Sequence, residues 1–155
     1  MTDIREAGKN DAPILTSLMH AAFRNTQPPS SALLETEELV AGKLESGEEQ
    51  AAVATVEGRA VGMVRFHWEE EALYFFRLSV SPDAQGQGIG RTLLAWLEQQ
   101  ALERGKRALT CRVRMEMERN VRLYQKAGFQ IVKQEIVERS GTQGIPTAYM
   151  RKQLV

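Results

Sequence analysis

The sequence predicts an α/β protein with a mixed, mostly antiparallel β-sheet that is flanked by helices and has one parallel β-α-β unit at its centre. Apolar residues alternate with a period of two in several short runs, and between two of these runs they recur at the spacing of an amphipathic helix. Two strands that are joined through a helix run parallel, whereas strands that are joined by short turns form antiparallel hairpins. The combination predicts a mixed sheet.

Composition and charge are those of an ordinary globular domain, and we expect one domain over residues 1–155. The 20 basic and 20 acidic residues cancel, so no net field favours nucleic acid or an anionic membrane as a partner. Neither a secretory signal nor an apolar run of about 20 residues is visible. The single cysteine excludes an intrachain disulfide and leaves no zinc-binding spacing, so a cytoplasmic protein without a metal is expected.

The first half of the chain predicts a strand, two helices and a hairpin. Asn10 or Asp11 caps the first helix, which has Pro13 in its first turn. The consecutive prolines of "NTQPPSS" end that helix, because proline cannot continue it. The predicted elements are a strand at residues 3–7, a first helix ending before the prolines, a second helix at 32–44, and a hairpin at 50–68 that turns around Glu57, Gly58 and Arg59.

The second half begins with the alternating strand "ALYFFRLSV" (residues 72–80). One face of this strand is predicted to carry Tyr74, Phe76, Leu78 and Val80, and the other to carry Leu73, Phe75, Arg77 and Ser79. A long helix follows, with an apolar stripe from Ile89 to Ala101, and ends near Gly105. Cys111 alternates inward with its strand neighbours and is expected to be a buried thiol. The remaining predicted elements are a strand at residues 108–114, a helix at 118–127, and strands at 129–138 and 148–153.

The loop "QGQGIG" (residues 85–90), between the alternating strand and the long helix, has three glycines in five positions. It lacks the G-x-x-x-x-G-K-[ST] pattern of a P-loop. Counted from Gly86, the sixth position of a dinucleotide-binding G-x-G-x-x-G pattern is Arg91, so that interpretation is weak too. Unpaired backbone N–H groups at a helix N-terminus attract anions, and glycines let a phosphate approach them closely. A tight turn without a ligand is the alternative.

The string also matches Q/R-x-x-G-x-G/A at Gln85, Gly88 and Gly90, and "RLYQKAGFQIV" (residues 122–132) follows the next strand. With these two motifs the chain resembles the GNAT superfamily of acyl-CoA-dependent N-acyltransferases over roughly residues 72–132. The resemblance implies a GNAT-like fold and acetyl-CoA as co-substrate, with its diphosphate at the glycine loop. It also implies that backbone N–H groups of the preceding strand bind the thioester carbonyl. The cofactor-binding residues are then Leu78, Ser79, Val80, Gln85, Gly86, Gln87, Gly88, Ile89, Gly90, Arg91, Met117 and Asn120.

The same resemblance assigns Tyr124 as the general acid that protonates the departing coenzyme A sulfur; the alternative is a core tyrosine. Met117 stands where many members have an asparagine that contacts the pantetheine arm. For Asn120, helix capping is favoured over a contact with the cofactor. Strand positions that carry a base in some members hold Tyr74 and Arg112. Glu71 or Glu116 is therefore the tentative base, with a solvated surface carboxylate as the alternative for each.

The function implied is acetyl transfer from acetyl-CoA to a primary amine of a small molecule, by direct attack in a ternary complex. A protein N-terminus or lysine as acceptor, and a non-catalytic acyl-CoA-binding module, remain as alternatives. Family resemblance leaves a homodimer open, and residues 27–34 and 139–146 are expected to shape acceptor specificity. Four strand arginines either bind an acidic acceptor or pair with glutamates; they are Arg65, Arg77, Arg112 and Arg114.

Overall fold

A computed structural model describes residues 1–138 and 144–155. The elements are β1 (Thr2–Ala7), α1 (Ala12–Phe23), α2 (Glu37–Ser46), β2 (Gln50–Val56), β3 (Arg59–Trp68), β4 (Ala72–Val80), α3 (Ile89–Glu103), β5 (Ala108–Arg114), α4 (Glu118–Lys126), β6 (Gln130–Val137) and β7 (Ile145–Gln153).

The seven strands of the described residues form one sheet in the order β1-β2-β3-β4-β5-β7-β6. Strands β4 and β5 are parallel, and the pairs β1–β2, β2–β3, β5–β7 and β6–β7 are antiparallel. The predicted mixed α/β fold with a central parallel unit is confirmed.

Contacts divide the chain into two compact units, and the single domain over residues 1–155 stays a prediction. The first unit consists of Met1–Trp68 and Phe75–Trp96, and the second of Glu69–Tyr74 and Leu97–Val155. No helix among the described residues is both long and apolar enough to cross a bilayer.

The first unit has a core of buried aliphatic side chains from α1, α2, β2 and β3. Leu15 and Met19 of α1 and Val40 of α2 are fully buried there, together with Val53 and Met63. The β2–β3 turn is built from Glu57 and Gly58, both with positive φ, which suits the twist of a two-residue hairpin. This confirms the predicted hairpin.

In the second unit, β5 is the buried strand. Its first three residues follow the parallel register Ala72↔Ala108, Leu73↔Leu109 and Tyr74↔Thr110 with β4. Leu109 and Cys111 are 1% exposed, so the prediction of a buried thiol is confirmed. Burial raises the pKa of Cys111 from 9.0 to about 12. The predicted stripe of α3 is also confirmed, since its five members are all buried: Ile89, Leu93, Leu94, Leu97 and Ala101.

The predicted second helix at residues 32–44 is wrong in its bounds. A 3₁₀ turn spans Ser31–Leu34, Glu35 is extended, and α2 begins only at Glu37. Two hydroxyl side chains explain the break. Ser30 accepts a hydrogen bond from the N–H of Ala32, and Thr36 accepts one from the N–H of Leu39, so each caps a separate turn.

Local hydrogen bonds also change details at other helix and strand ends. Asp11 occupies the predicted N-cap position of α1, but its carboxylate bonds to the N–H of Gly8 and to Arg5 instead. Asn120 does not cap α4: Met117 is the N-cap residue, and Asn120 lies inside the helix. β7 begins three residues earlier than predicted, and its Pro146 lies near the strand start, where proline is tolerated.

The strict alternation predicted for β4 is wrong beyond its midpoint. Leu73 and Phe75 are buried on one face, as the period requires, but Leu78 and Ser79 are buried although they are adjacent in sequence. Arg77 interrupts the pattern because its backbone lies in the left-handed region, with φ of 56°. One residue in that conformation bends a strand locally, as in a β-bulge.

Candidate active site

The glycine loop leads from β4 into α3 through backbone conformations that favour glycine. A 3₁₀ turn at Pro82–Ala84 is followed by extended Gln85, then by Gly86 and Gly88 with φ of 83° and 80°. L residues that carry a side chain rarely adopt positive φ, so the loop favours glycine at both positions. The predicted loop-to-helix transition is therefore built by the backbone of Gly86 and Gly88.

Open space surrounds these two glycines. A Cβ atom built on Gly86 or on Gly88 meets no heavy atom within 4 Å. Residues 85–88 are exposed, whereas Ile89 at the start of α3 is 2% exposed. The first helical bond of α3 runs from the N–H of Thr92 to the carbonyl of Gly88, at 3.0 Å, so the preceding N–H groups have no partner within the helix. Such an exposed N-terminus fits a diphosphate group.

Gly62 on β3 allows α3 to pack closely on the sheet, and it was not among the residues predicted from the sequence. A Cβ atom at Gly62 would lie 3.0 Å from Cγ2 of Ile89 and 3.2 Å from the carbonyl oxygen of Ser79. Only glycine allows the start of α3 to pack this closely on the sheet. The sequence signal that could have identified Gly62 is an isolated glycine inside a strand pattern.

Hydrogen bonds fix the turn that precedes the glycines. The N–H of Ser81 donates to the carbonyl of Val61 at 2.8 Å, and the Ser81 hydroxyl donates to Asp83 at 2.7 Å. Arg59 forms a salt bridge with the same carboxylate. Hydrogen bonds from Ser81 and Arg59 hold the pKa of Asp83 below its usual value. The loop is thus attached to β3 on its entry side.

The predicted carbonyl-binding residues occupy the end of β4. Leu78 is 8% exposed and Ser79 is 1% exposed, and Val80 is half-buried. The Ser79 hydroxyl donates to the carbonyl of Arg77 at 2.9 Å. These three residues and the glycine loop belong to the first unit, together with Gln85, Gln87, Gly90 and Arg91.

Tyr124 lies on α4 in the second unit and is 4% exposed. Its ring packs on Phe129, with the ring centroids 5.7 Å apart. Burial, and to a lesser degree Cys111, raises the pKa of the phenol well above 10.0. The side chain therefore keeps its proton throughout the physiological range. Tyr124 is thus a packed core residue that is protonated, so burial does not exclude the acid role predicted from the sequence.

The other predicted residues of the second unit are more accessible. Met117 and Asn120 are half-buried at the start of α4. The Glu116 side chain is 51% exposed and lies 3.3 Å from Nη1 of Arg114. Glu71 is 61% exposed and lies 3.9 Å from Nη1 of Arg107. Both carboxylates are solvated and paired with arginine.

The four strand arginines all pair with glutamates. Arg112 donates to Glu135 at 3.1 Å, and its guanidinium lies over the rings of Tyr74 and Tyr149. Arg114 pairs with Glu116. Arg65 and Arg77 share Glu35 within the first unit. The glutamate-pairing alternative is therefore the one that the structure supports.

Glu35 was missed from sequence because it stands in a stretch that reads as an ordinary polar helix face. It lies between the 3₁₀ turn and α2, next to residues 27–34 that were expected to shape specificity. Of the other segment, residues 139–143 lie outside the described residues, and Ile145 and Pro146 belong to β7.

Proteins of known sequence or structure resemble the chain over most of its length. It is 28% identical over 134 residues to a mycothiol acetyltransferase of Propionibacterium freudenreichii, which covers 82% of this chain and 42% of that protein. The chain thus spans less than half the length of this curated relative. A ribosomal-protein-alanine N-acetyltransferase of Brucella melitensis superposes with a TM-score of 0.84 at 26% identity, covering 98% of this chain and 99% of that one.

A Salmonella typhimurium protein solved with its cofactor acetyl-CoA has the same fold, with a TM-score of 0.84 at 22% identity over 100% of this chain and 95% of that chain. The model of the acetyltransferase (GNAT) family matches residues 14–129, which include both the glycine loop and Tyr124. The predicted acetyl-CoA-dependent acetyltransferase domain is confirmed at the level of the family. On this evidence the chain belongs to the acetyltransferase (GNAT) family.

Proposed function

We propose that this protein transfers the acetyl group of acetyl-CoA to the primary amine of a small molecule, in a ternary complex. The observation that carries the proposal is the glycine loop. Gly86 and Gly88 both have positive φ, and the space at their Cβ positions is empty beside the exposed N-terminus of α3. The loop residues that were predicted to bind the cofactor hold the diphosphate there, and Met117 and Asn120 contact the pantetheine arm. The lone cysteine supports a cytoplasmic location.

The chemistry needs three proton transfers around one substitution at the carbonyl carbon. Glu71 or Glu116, directly or through water, accepts a proton from the ammonium, and the free amine attacks the thioester carbonyl. Backbone N–H groups of Leu78, Ser79 and Val80 stabilise the oxyanion that forms. A C–N bond replaces the C–S bond, and Tyr124 donates its proton to the departing sulfur. The nitrogen then loses its second proton through water to the Tyr124 phenolate, so the products are the amide and the coenzyme A thiol.

A protein N-terminus is the second candidate acceptor. It is favoured by the similarity to the Brucella melitensis protein, which by its name acetylates an alanine of a ribosomal protein. The similarity to a mycothiol acetyltransferase favours a small molecule. Both acceptors present a primary amine, so the same mechanism serves either one.

Two measurements test the proposal in sequence. Thermal unfolding is compared with acetyl-CoA, coenzyme A, ATP and NAD, all at one concentration that is about 100 times the dissociation constant of acetyl-CoA. A bound ligand stabilises by ~2.7 kcal/mol at that excess, which raises the melting temperature by roughly 5–10 °C for a chain of this size. Stabilisation by acetyl-CoA and coenzyme A, but not by ATP or NAD, is expected. Stabilisation by ATP or NAD instead would overturn the assignment of the loop.

Coenzyme A release is then measured with two acceptor panels, one of small primary amines and one of short peptides that begin with alanine. Turnover with the small amines alone supports the proposed acceptor class. Turnover with the peptides alone selects the protein N-terminus, and affinity without turnover on either panel indicates a binding module.

A further inference from the structure

Arg77 is held in a backbone conformation that its side chain does not favour. Its φ is 56°, inside strand β4, where neighbouring residues are extended. Glycine is the residue that adopts this region freely, and only a surrounding structure that fixes the residue keeps an arginine there. What fixes Arg77 therefore also fixes the direction in which β4 continues.

The bulge at Arg77 determines which way the last residues of β4 face. Beyond it, Leu78 and Ser79 are both buried, so burial at this end of the strand does not follow a two-residue period. The Ser79 hydroxyl closes the bulge by donating to the carbonyl of Arg77 at 2.9 Å. The backbone of residues 78–80 is oriented by this single turn.

The Arg77 side chain is anchored on the segment between α1 and α2. Its Nε donates to Oε1 of Glu35 at 2.9 Å, and its Nη2 donates to the hydroxyl of Ser31 at 3.1 Å. The guanidinium also lies 6.0 Å from the ring centroid of Phe23 at the end of α1. Three contacts from one side chain thus connect the bulge to residues 23–35.

Glu35 is itself held from the interior of the first unit. Arg65, which is 0% exposed, lies 2.9 Å from Glu35 and 2.8 Å from Glu49. The side chains of Glu35 and Glu49 are 11% and 7% exposed, and the Arg65 guanidinium lies 5.0 Å from the ring centroid of Phe76. The anchor is therefore a buried ion network and not a mobile surface pair.

We propose that Arg77 and Glu35 are positioning residues, which hold the β4 bulge so that the N–H groups of residues 78–80 face the acetyl carbonyl. This inference rests on the proposed function, in which those N–H groups bind that oxygen. Neither side chain touches the reacting atoms. Ser31, which belongs to the expected acceptor segment at residues 27–34, is connected through Arg77 to the carbonyl-binding strand.

The test reads the carbonyl itself and needs no acceptor. Acetyl-CoA with ¹³C at the carbonyl is bound to the wild-type chain, to Arg77→Gly and to Glu35→Gln, and the carbonyl resonance is recorded by NMR. Glycine accepts the left-handed backbone, so Arg77→Gly removes the anchor without adding strain. Glu45→Gln, which removes a surface pair with Lys9, is the matched control. Coenzyme A, which lacks the carbonyl, is titrated in parallel.

In the wild-type chain and the control we expect the carbonyl resonance to move downfield on binding. In Arg77→Gly and Glu35→Gln that displacement falls by at least half, while coenzyme A affinity stays within about twofold. A full displacement in either folded variant would overturn the positioning role. Failure of the wild-type chain to bind coenzyme A would instead overturn the proposed function, so the two failures are distinguishable. Glu35→Gln leaves Arg77 in place, so it carries the test if Arg77→Gly does not fold.

Discussion

At the scale of single residues, Tyr124 shows how burial determines the protonation state of a side chain. Burial on α4 keeps the phenol protonated, because it raises the pKa well above 10.0. In the proposed mechanism, the phenol therefore carries the proton that it donates throughout the physiological pH range. The sequence motif identified the position, but only the packing on Phe129 explains the protonation state.

Replacement of Tyr124 by phenylalanine removes one oxygen atom and leaves the ring packing intact. We expect kcat to fall by about 10²-fold, the usual contribution of a general acid, with coenzyme A affinity nearly unchanged. Steady-state kinetics and calorimetric titration of coenzyme A check the two quantities, with Tyr149→Phe as a matched control. An unchanged kcat in Tyr124→Phe would remove the acid role.

Because of Cys111, the free energy of unfolding is expected to change with pH in the alkaline range. Its pKa rises from 9.0 to about 12 in the folded chain, because burial disfavours the thiolate. Between these values the unfolded chain loses the thiol proton and the folded chain keeps it, so the free energy of unfolding falls as pH rises. The slope is at most about 1.4 kcal/mol per pH unit.

Denaturant unfolding of the wild-type chain and of Cys111→Ala, at several pH values from 8 to 11, measures this slope. The difference between the two profiles isolates the thiol from other groups, including Tyr124. We expect the wild-type chain to lose more stability above pH 9 than the variant does. Parallel profiles would mean that the thiol is accessible to water in the folded chain, and a thiol reagent would then label it without denaturant.

At the scale of elements, the connection from β4 to α3 combines two different uses of glycine. Gly86 and Gly88 supply a backbone conformation and leave open space beside it. Gly62 instead supplies close packing, because a side chain there would meet Ile89 and the backbone of Ser79. The first use can be predicted from a sequence motif. The second cannot, because it depends on contact with residues that are distant in the sequence.

Gly88 and Gly47 form a matched pair that separates strain from binding. Their φ values are 80° and 79°, and a Cβ atom at either position meets nothing within 4 Å. We therefore expect Gly88→Ala and Gly47→Ala to lose similar stability, about 1–2 kcal/mol each, from left-handed strain. Only Gly88→Ala adds a Cβ atom at the proposed diphosphate site.

Calorimetric titration with coenzyme A measures the consequence for binding. Gly88→Ala should weaken the affinity at least tenfold, while Gly47→Ala, at the end of α2, should bind as the wild-type chain does. Equal affinities in the two variants would mean that the glycine at position 88 is required by the turn alone.

At the scale of the whole molecule, the 20 basic and 20 acidic residues balance, and the first unit holds two of the carboxylates inside an ion network. Burial would raise the pKa of Glu35, but hydrogen bonds and charges from Arg65 and Arg77 hold it below its usual value of 4.5. The folded chain therefore resists protonation more than the unfolded chain does. This contribution to stability is present above pH 4.5 and is lost as pH falls below it.

Acid unfolding tests this coupling. We expect the free energy of unfolding of the wild-type chain to decrease as pH falls from 5 to 3, by about 1.4 kcal/mol for each unit by which the pKa of Glu35 is lowered. Glu35→Gln should be less stable at pH 7 and should show a flatter profile. The surface variant Glu45→Gln should follow the wild-type profile. A wild-type slope in Glu35→Gln would place the acid-sensitive groups elsewhere.

The sequence by itself determined the mixed α/β fold, the glycine loop and the position of Tyr124. Each depends on residues that are close in the chain, and apolar periodicity, turn glycines and short motifs record such local requirements. Only the tertiary structure decided that Arg77 interrupts β4 with a positive φ, that Gly62 lets α3 pack closely, and that Glu35 joins Arg65 and Arg77 in a buried network. Those features depend on partners that are 17 to 42 residues apart along the chain, as for Ser79 with Gly62 and Arg77 with Glu35. Charge pairing and close packing over such separations leave no period in the sequence, because only folding brings the partners into contact.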